Sequence, residues 1–316
     1  MNRNLVLVGI CLLLVFSSCH RSCELEPQIN YAVQDRYLKS LPSPFAPLNS
    51  EESAQDWGRE YRVGLGFAKQ LDLYQAMTSF RRADILMPDD LEARKTQVEY
   101  DTLLAYYLGK KYSDVTYTYE NSHLNRVGKE FTPLHDLLVI LYDSYIQVGE
   151  VGKAELILNL IKELFSSTEK KLVISTALKN ADMGTLYELS DKDPNDTSLS
   201  HLLASYEASQ KSATTAQALN AFLPGAGYFY LGQRQSAVTA FLLNGLFIAA
   251  AYTFFHRGHT AAGIITTGFE AGWYFGGIYG AKEETKFYNE RIYENLASPM
   301  MNQKGLFPVL MLKYGF

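Results

Sequence analysis

Along the chain the spacing of apolar positions changes several times, and each change marks a segment. Leu5 to Phe16 is an unbroken apolar run behind Arg3. It is too short to cross a ~30 Å hydrocarbon layer but has the form of the apolar region of an export signal. From about residue 54 to residue 210, apolar side chains recur three and four positions apart with polar ones between, which predicts amphipathic helices. Ser236 to Phe255 then carries no formal charge, and Thr260 to Ala281 carries one, Glu270. At ~1.5 Å per residue each segment reaches across a bilayer. The intervening His256-Arg257-Gly258-His259 allows only an antiparallel turn. Leu306 to Phe316 is apolar again and reads as an interfacial or docking tail. The predicted fold class is all-α: a helical stack followed by a two-helix transmembrane hairpin.

Within the stack, Pro42-Ser43-Pro44-Phe45-Ala46-Pro47 breaks any preceding helix, and Asn49 with Glu52 three residues on predicts a capping pair. Between Trp57 and Pro88, one helix carries Val63, Gly64 and Phe67 and a second carries Leu73, Ala76, Phe80 and Ala83, closed by Pro88. Small residues let two antiparallel helices approach, the phenylalanines fill the groove between them, and the proline stops the second helix. This pattern resembles the tetratricopeptide repeat. Sliding by 39 residues gives Leu103, Tyr106, Tyr112, Val115 and Tyr119; sliding again gives Leu141, Tyr145, Val151, Ala154, Leu158 and Ile161. The period exceeds the family's, and no clean fourth copy follows before the turn-rich Asp191-Lys192-Asp193-Pro194-Asn195-Asp196. The resemblance implies a concave surface for a protein partner.

The signal run ends Val15-Phe16-Ser17-Ser18-Cys19, which resembles the bacterial lipobox and implies that Cys19 is the lipidated first residue of the mature chain. Phe16 departs from the Leu usual in that motif. The expected organisation is a signal peptide at 1–18, a tether and Pro-rich linker at 19–53, the repeat domain at 54–210, a membrane hairpin domain at 211–296 with spans 236–255 and 260–281, and the tail at 297–316.

In lipid, helices associate through small residues that bring backbones close. Gly268, Gly272, Gly276 and Gly280 recur every four residues and form one groove, a glycine zipper. Gly263, Glu270 and Gly277 lie seven apart on roughly the opposite side. One neighbouring span cannot cover both faces, so a second copy or another membrane protein is expected against the remaining one. Glu270 and Asn244 fall at similar depth and are expected to form a polar clasp that fixes the helix register; a proton or ion relay through Glu270 is the other reading. Leu223-Pro224-Gly225-Ala226-Gly227-Tyr228-Phe229-Tyr230-Leu231-Gly232-Gln233 resembles the opening of small two-helix membrane hairpin domains, which implies an architecture and little about activity.

Charge and chemistry narrow the function. The formal charge is −5, from 29 basic against 34 acidic residues with no basic run, which excludes a nucleic-acid surface. All three cysteines precede residue 24, so neither a disulfide framework nor a cysteine zinc site is available to the folded body. His256 and His259 have no third metal ligand near them in sequence. No nucleophile with its base, catalytic carboxylate pair or phosphate loop is present, and neither an enzyme nor a cofactor is expected. The reading is an exported, membrane-anchored cell-envelope scaffold or assembly factor that binds a protein through its helical surface. The alternative is an oligomeric component of a small transport or channel system built on the glycine-lined hairpin. One feature conflicts with export of the N-terminus: Arg257 alone occupies the turn, whereas Arg234, Lys282, Lys286 and Arg291 flank the spans, the reverse of the positive-inside pattern.

Overall fold

The structure, a computed structural model, describes residues 25–29, 35–192 and 197–316. The expected signal peptide and Cys19 lie outside the described residues. Among the described residues every regular element is helical and none is a strand. The described residues divide into two units, one within 29–200 together with 297–316 and the other made of 25–28 and 201–296.

The first unit begins with two short helices, α1 (Asp35–Ser40) and α2 (Ser50–Ala54). Asn49 and Glu52 form a reciprocal capping box, each side chain accepting the other's backbone N–H at 2.8 Å. Helix pairs follow: α3 (Asp56–Gln70) with α4 (Leu73–Leu86), α5 (Glu92–Leu108) with α6 (Tyr112–Glu120), α7 (Leu134–Val148) with α8 (Val151–Leu164), and α9 (Ser166–Lys179) with α10 (Met183–Lys192). Each pair turns on one residue with a left-handed backbone: Leu71, Lys110, Gly149 and Ala181. The hydrogen bonds at the four turns are the same. The left-handed residue donates three residues back and the next residue five back, as in Asp72 to Phe67, Lys111 to Tyr106, Glu150 to Tyr145 and Asp182 to Ala177. Turns 71, 110 and 149 are 39 residues apart and the last follows after 32. The fourth pair, without a clean copy in the sequence, is therefore present with a shorter spacing.

The core of the first pair explains its composition. Trp57, Tyr61, Gly64 and Ala68 on α3 face Ala76, Met77, Phe80 and Ala83 on α4, all buried at three- and four-residue spacing. A Cβ on Gly64 would lie 2.6 Å from Cδ1 of Phe80, so only glycine permits this approach. Pro88 is exposed and ends α4 by holding Met87 extended (φ −76°, ψ 134°). Phe67 is half-buried at the edge of the cluster, and Val63, placed with the core by pattern, is half exposed. Successive first helices are stitched by buried polar contacts. The Tyr61 hydroxyl donates to Oδ2 of Asp101 (2.5 Å), that of Tyr107 to Oδ2 of Asp143 (2.8 Å), and Lys179 reaches the other oxygen of Asp143 at 3.2 Å.

The last residues belong to this unit. Leu306, Phe307, Val309 and Leu312 are buried around a 3-10 turn, Pro308–Met311, whose carbonyl neighbours at Leu310 and Leu312 accept the Tyr37 hydroxyl, each at 3.2 Å. The segment set apart as a tail in the sequence is thus an integral element of the stack.

The second unit contains most of α11 (Thr197–Ser209), then α12 (Ala213–Phe222), α13 (Ala226–Tyr230), α14 (Arg234–His256) and the greater part of α15 (Thr260–Gln303). Gly225 joins α12 to α13 with φ +93°, and a Cβ there would strike the Ala237 carbonyl at 2.2 Å; both facts require glycine. Among the described residues one helix, α14, is long and apolar enough to cross a membrane. The second expected span, 260–281, is the first half of the 44-residue α15, where Glu270, five glycines in the stretch 263–277 and several aromatic residues dilute the aliphatic content.

Candidate functional site

Two features stand out: the apolar surface of α14 and α15, and the groove of the stack that holds the C-terminus.

Only 6% of the apolar window of α14 is buried. Val238, Phe241, Leu242, Leu246, Ile248 and Tyr252 project outward from it, and Ile264, Ile265, Phe269, Trp273 and Phe275 project from the first half of α15. Leu246 is 64% exposed and Phe269 68%. Contiguous exposure on this scale in water would be strongly unfavourable and marks a membrane or partner surface. Three threonine hydroxyls here bond inside their own helices: Thr253 to Ala249, Thr266 to Ala262 and Thr267 to Gly263, at 2.8–2.9 Å. That is the economical arrangement where water is absent.

The glycines divide differently from expectation. Gly263 lies against the Phe255 ring (2.8 Å from a Cβ position), Gly277 against Nδ2 of Asn220 (3.2 Å) and Gly280 against the Tyr228 hydroxyl. A Cβ on Gly268, Gly272 or Gly276 would meet nothing within 4 Å. Gly280 therefore leaves the expected four-membered groove for an internal contact, and the other three face open space.

The expected Asn244–Glu270 clasp is not formed. Asn244 is buried, and its Nδ2 donates to the carbonyl of Ala240 one turn back at 2.6 Å. Its Oδ1 has no hydrogen-bond partner, and neither has Oε2 of Glu270. Bonding to its own helix is the local alternative that short polar side chains always have, and here it prevails. Asn244 instead lines a cleft of about 610 Å³ with Ser236, Thr239, Gly272, Trp273, Gly276 and Gly277, and the hydrogen-bonded pair Gln233 and Glu284 also lines it.

A short N-terminal segment runs along α15 beyond its apolar half. The backbone N–H of Glu26 donates to Glu290 (2.9 Å) and that of Gln28 to Glu294 (2.6 Å), while Lys286 approaches Glu26 at 3.3 Å. Moving back along this segment is moving toward the 281 end of α15.

In the stack, α7 is buried over 135–145 and presents Asp136, which has no exposed surface. His135 Nδ1 approaches Oδ1 of Asp136 at 2.7 Å; Oδ2 accepts the backbone N–H groups of Lys313 (2.7 Å) and Tyr314 (2.8 Å). Gly315 N–H donates to the Pro42 carbonyl at 3.0 Å, and the Phe316 ring stacks on Phe80 with centroids 6.2 Å apart. A cleft of about 330 Å³ remains beside Lys313 and Tyr314, lined by Lys129, Phe131, His135 and Phe165. Neither Asp136 nor this mode of main-chain recognition had a signal in the sequence, because an aspartate in an apolar helix reads as a defect until its partners are known.

Asp101, like Asp136, has no exposed surface. Burial raises its pKa to about 7, opposed by the hydrogen bond from Tyr61, and its Oδ1 has no partner. Tyr61 also accepts from Gln97 (2.6 Å), which accepts from Arg94 (2.7 Å), itself paired with Glu52 at 2.9 Å. Arg94 and the Asn49 backbone hold Glu52 below the usual carboxylate range. The network is a structural tie between α2, α3 and α5. Among the described residues no group of three His, Cys, Asp or Glu side chains is placed to hold a metal ion. Comparison with known families, with curated proteins and with solved structures finds no match to this chain.

Proposed function

We propose that this protein is an exported cell-envelope scaffold or assembly factor. A transmembrane hairpin, made of α14 and the first half of α15, and a lipid on Cys19 attach it to a membrane, and its tetratricopeptide-like stack recruits a protein partner. The observation that carries the reading is the belt of outward aliphatic and aromatic side chains on both helices, with three threonine hydroxyls beside it turned onto carbonyls of their own helices. The hairpin is supported by the Gln233–Glu284 bond: these residues lie 25 and 26 positions either side of Gly258, as antiparallel neighbours must. The contacts of Glu26 and Gln28 with α15 support a common side for the N-terminal segment and the end of the second span. Glu26 lies seven positions after Cys19, at most about 25 Å of extended chain, enough to set a lipid at the membrane boundary. One acyl chain alone anchors marginally, and the hairpin provides the second attachment.

The open glycine face of Gly268, Gly272 and Gly276 favours a further membrane contact, with a second copy or another protein. The transport alternative draws on the polar cleft beside Asn244. Glu270→Gln separates the two: a transport role loses activity, and a scaffold keeps its assembly. The scaffold reading is tested by crosslinking and affinity capture of the tagged full chain from membranes. Recovery of a defined protein partner, lost when the stack surface is altered, is expected; a full chain that is exported yet washes free of membranes, or recovers no partner, overturns it.

A further inference from the structure

We infer that residues 313–316 are a detachable latch seated in a peptide-binding groove of the stack, and that a partner's segment with the same turned backbone and an aromatic residue takes their place. This inference rests on the scaffold reading, since it names what the stack binds.

The groove's chemistry specifies a polypeptide main chain. Asp136 is fully buried, His135 occupies Oδ1, and the hydrogen bonds made to Oδ2 come from two successive backbone N–H groups, at 2.7 and 2.8 Å. A buried carboxylate without such donors is costly, so the site calls for a backbone that turns two successive N–H groups to one side, a nest, whenever it is folded. The third N–H, that of Gly315, goes to Pro42, and the ring two residues after Tyr314 enters beside Phe80. Recognition therefore reads three consecutive main-chain donors and one aromatic side chain, and asks little of the rest of the sequence.

The division between anchor and latch is visible in burial. Leu306, Phe307, Val309 and Leu312 are each at most 4% exposed and fasten the segment. Beyond them Lys313 is exposed and Tyr314 and Phe316 are half-buried, Gly315 alone of the four being buried, and the 330 Å³ cleft lies open alongside. A competing segment can enter there while the anchor stays in place.

The test uses the full chain in mild detergent and a fluorescent peptide with the sequence of residues 310–316. In the intact chain the latch competes from within, so the peptide should bind Phe316→Asp about tenfold or more tightly than the unaltered chain. Adding Asp136→Asn should weaken that binding again. Equal or absent binding to a Phe316→Asp chain that melts normally overturns the latch. Should that variant fail to fold, hydrogen exchange of the unaltered chain decides: the amides of Lys313, Tyr314 and Gly315 should exchange well before that of Leu141, and exchange only on global unfolding overturns the inference. If the peptide fails to bind while the full chain still captures a membrane partner, the latch falls and the scaffold stands. If the peptide binds and no partner is captured, the groove stands and the scaffold falls.

Discussion

A methyl group on Gly64 would sit 2.6 Å from Cδ1 of Phe80, and Phe80 has no room to yield because Tyr61 and Phe316 pack on it with ring centroids 5.6 and 6.2 Å away. Alanine at position 64 would gain helix propensity worth about 1 kcal/mol and lose more through overpacking. Gly64→Ala is therefore expected to destabilise the chain by about 1–2 kcal/mol in denaturant melts, the opposite of an ordinary helical Gly→Ala change.

The repeated turn predicts two substitutions of opposite sign. Gly149 is left-handed with nothing within 4 Å of a Cβ position, so Gly149→Ala should cost roughly 1 kcal/mol through backbone strain alone. Ala181 already bears that strain at φ +49°, and Ala181→Gly should recover roughly 0.5–1 kcal/mol. Thermal midpoints of the two variants should move in opposite directions.

Asp101 makes stability depend on pH in a defined direction. Its folded pKa, about 7, lies above its unfolded value, so its contribution is fully present below the unfolded pKa and is lost as pH rises through 7. Between pH 5 and 8.5 the stability of the chain relative to Asp101→Asn should fall by roughly 2–3 kcal/mol. Paired denaturant titrations at the two pH values measure the difference; a constant gap would mean that Asp101 is ionised throughout.

Because Asn244 bonds to its own helix, it and Glu270 should be energetically independent. A double-mutant cycle of Asn244→Leu and Glu270→Gln, read by thermal unfolding in detergent, is expected to give a coupling below about 0.5 kcal/mol. A coupling of 1 kcal/mol or more would re-establish the clasp.

Much of the fold was legible because local patterns carry it. The all-helical class follows from three- and four-residue periodicity, the Asn49–Glu52 cap from residue type and spacing, and the 39-residue slide from Gly64, Ala76 and Phe80 falls in step with the turns at Leu71, Lys110 and Gly149. The fourth pair was not legible, because its turn follows after 32 residues and so falls out of the 39-residue step. What the polar residues do was not legible either. Asn244 and Glu270 share a depth by counting, yet pairing depends on rotamers and on a competing carbonyl four residues back. The role of the last four residues hinges on Asp136, 177 positions away from Lys313 in the chain, a relation that no local pattern encodes.

The central claim is that α14 and the first half of α15 lie in lipid. Nitroxides placed at Leu246 and at Phe269, in the full chain reconstituted into phospholipid vesicles, test it by their collision rates with oxygen and with a water-soluble nickel complex. Both positions are expected to be reached by oxygen and shielded from nickel, at similar depth; nickel access at either position, equal to that at exposed Lys192, would contradict the account.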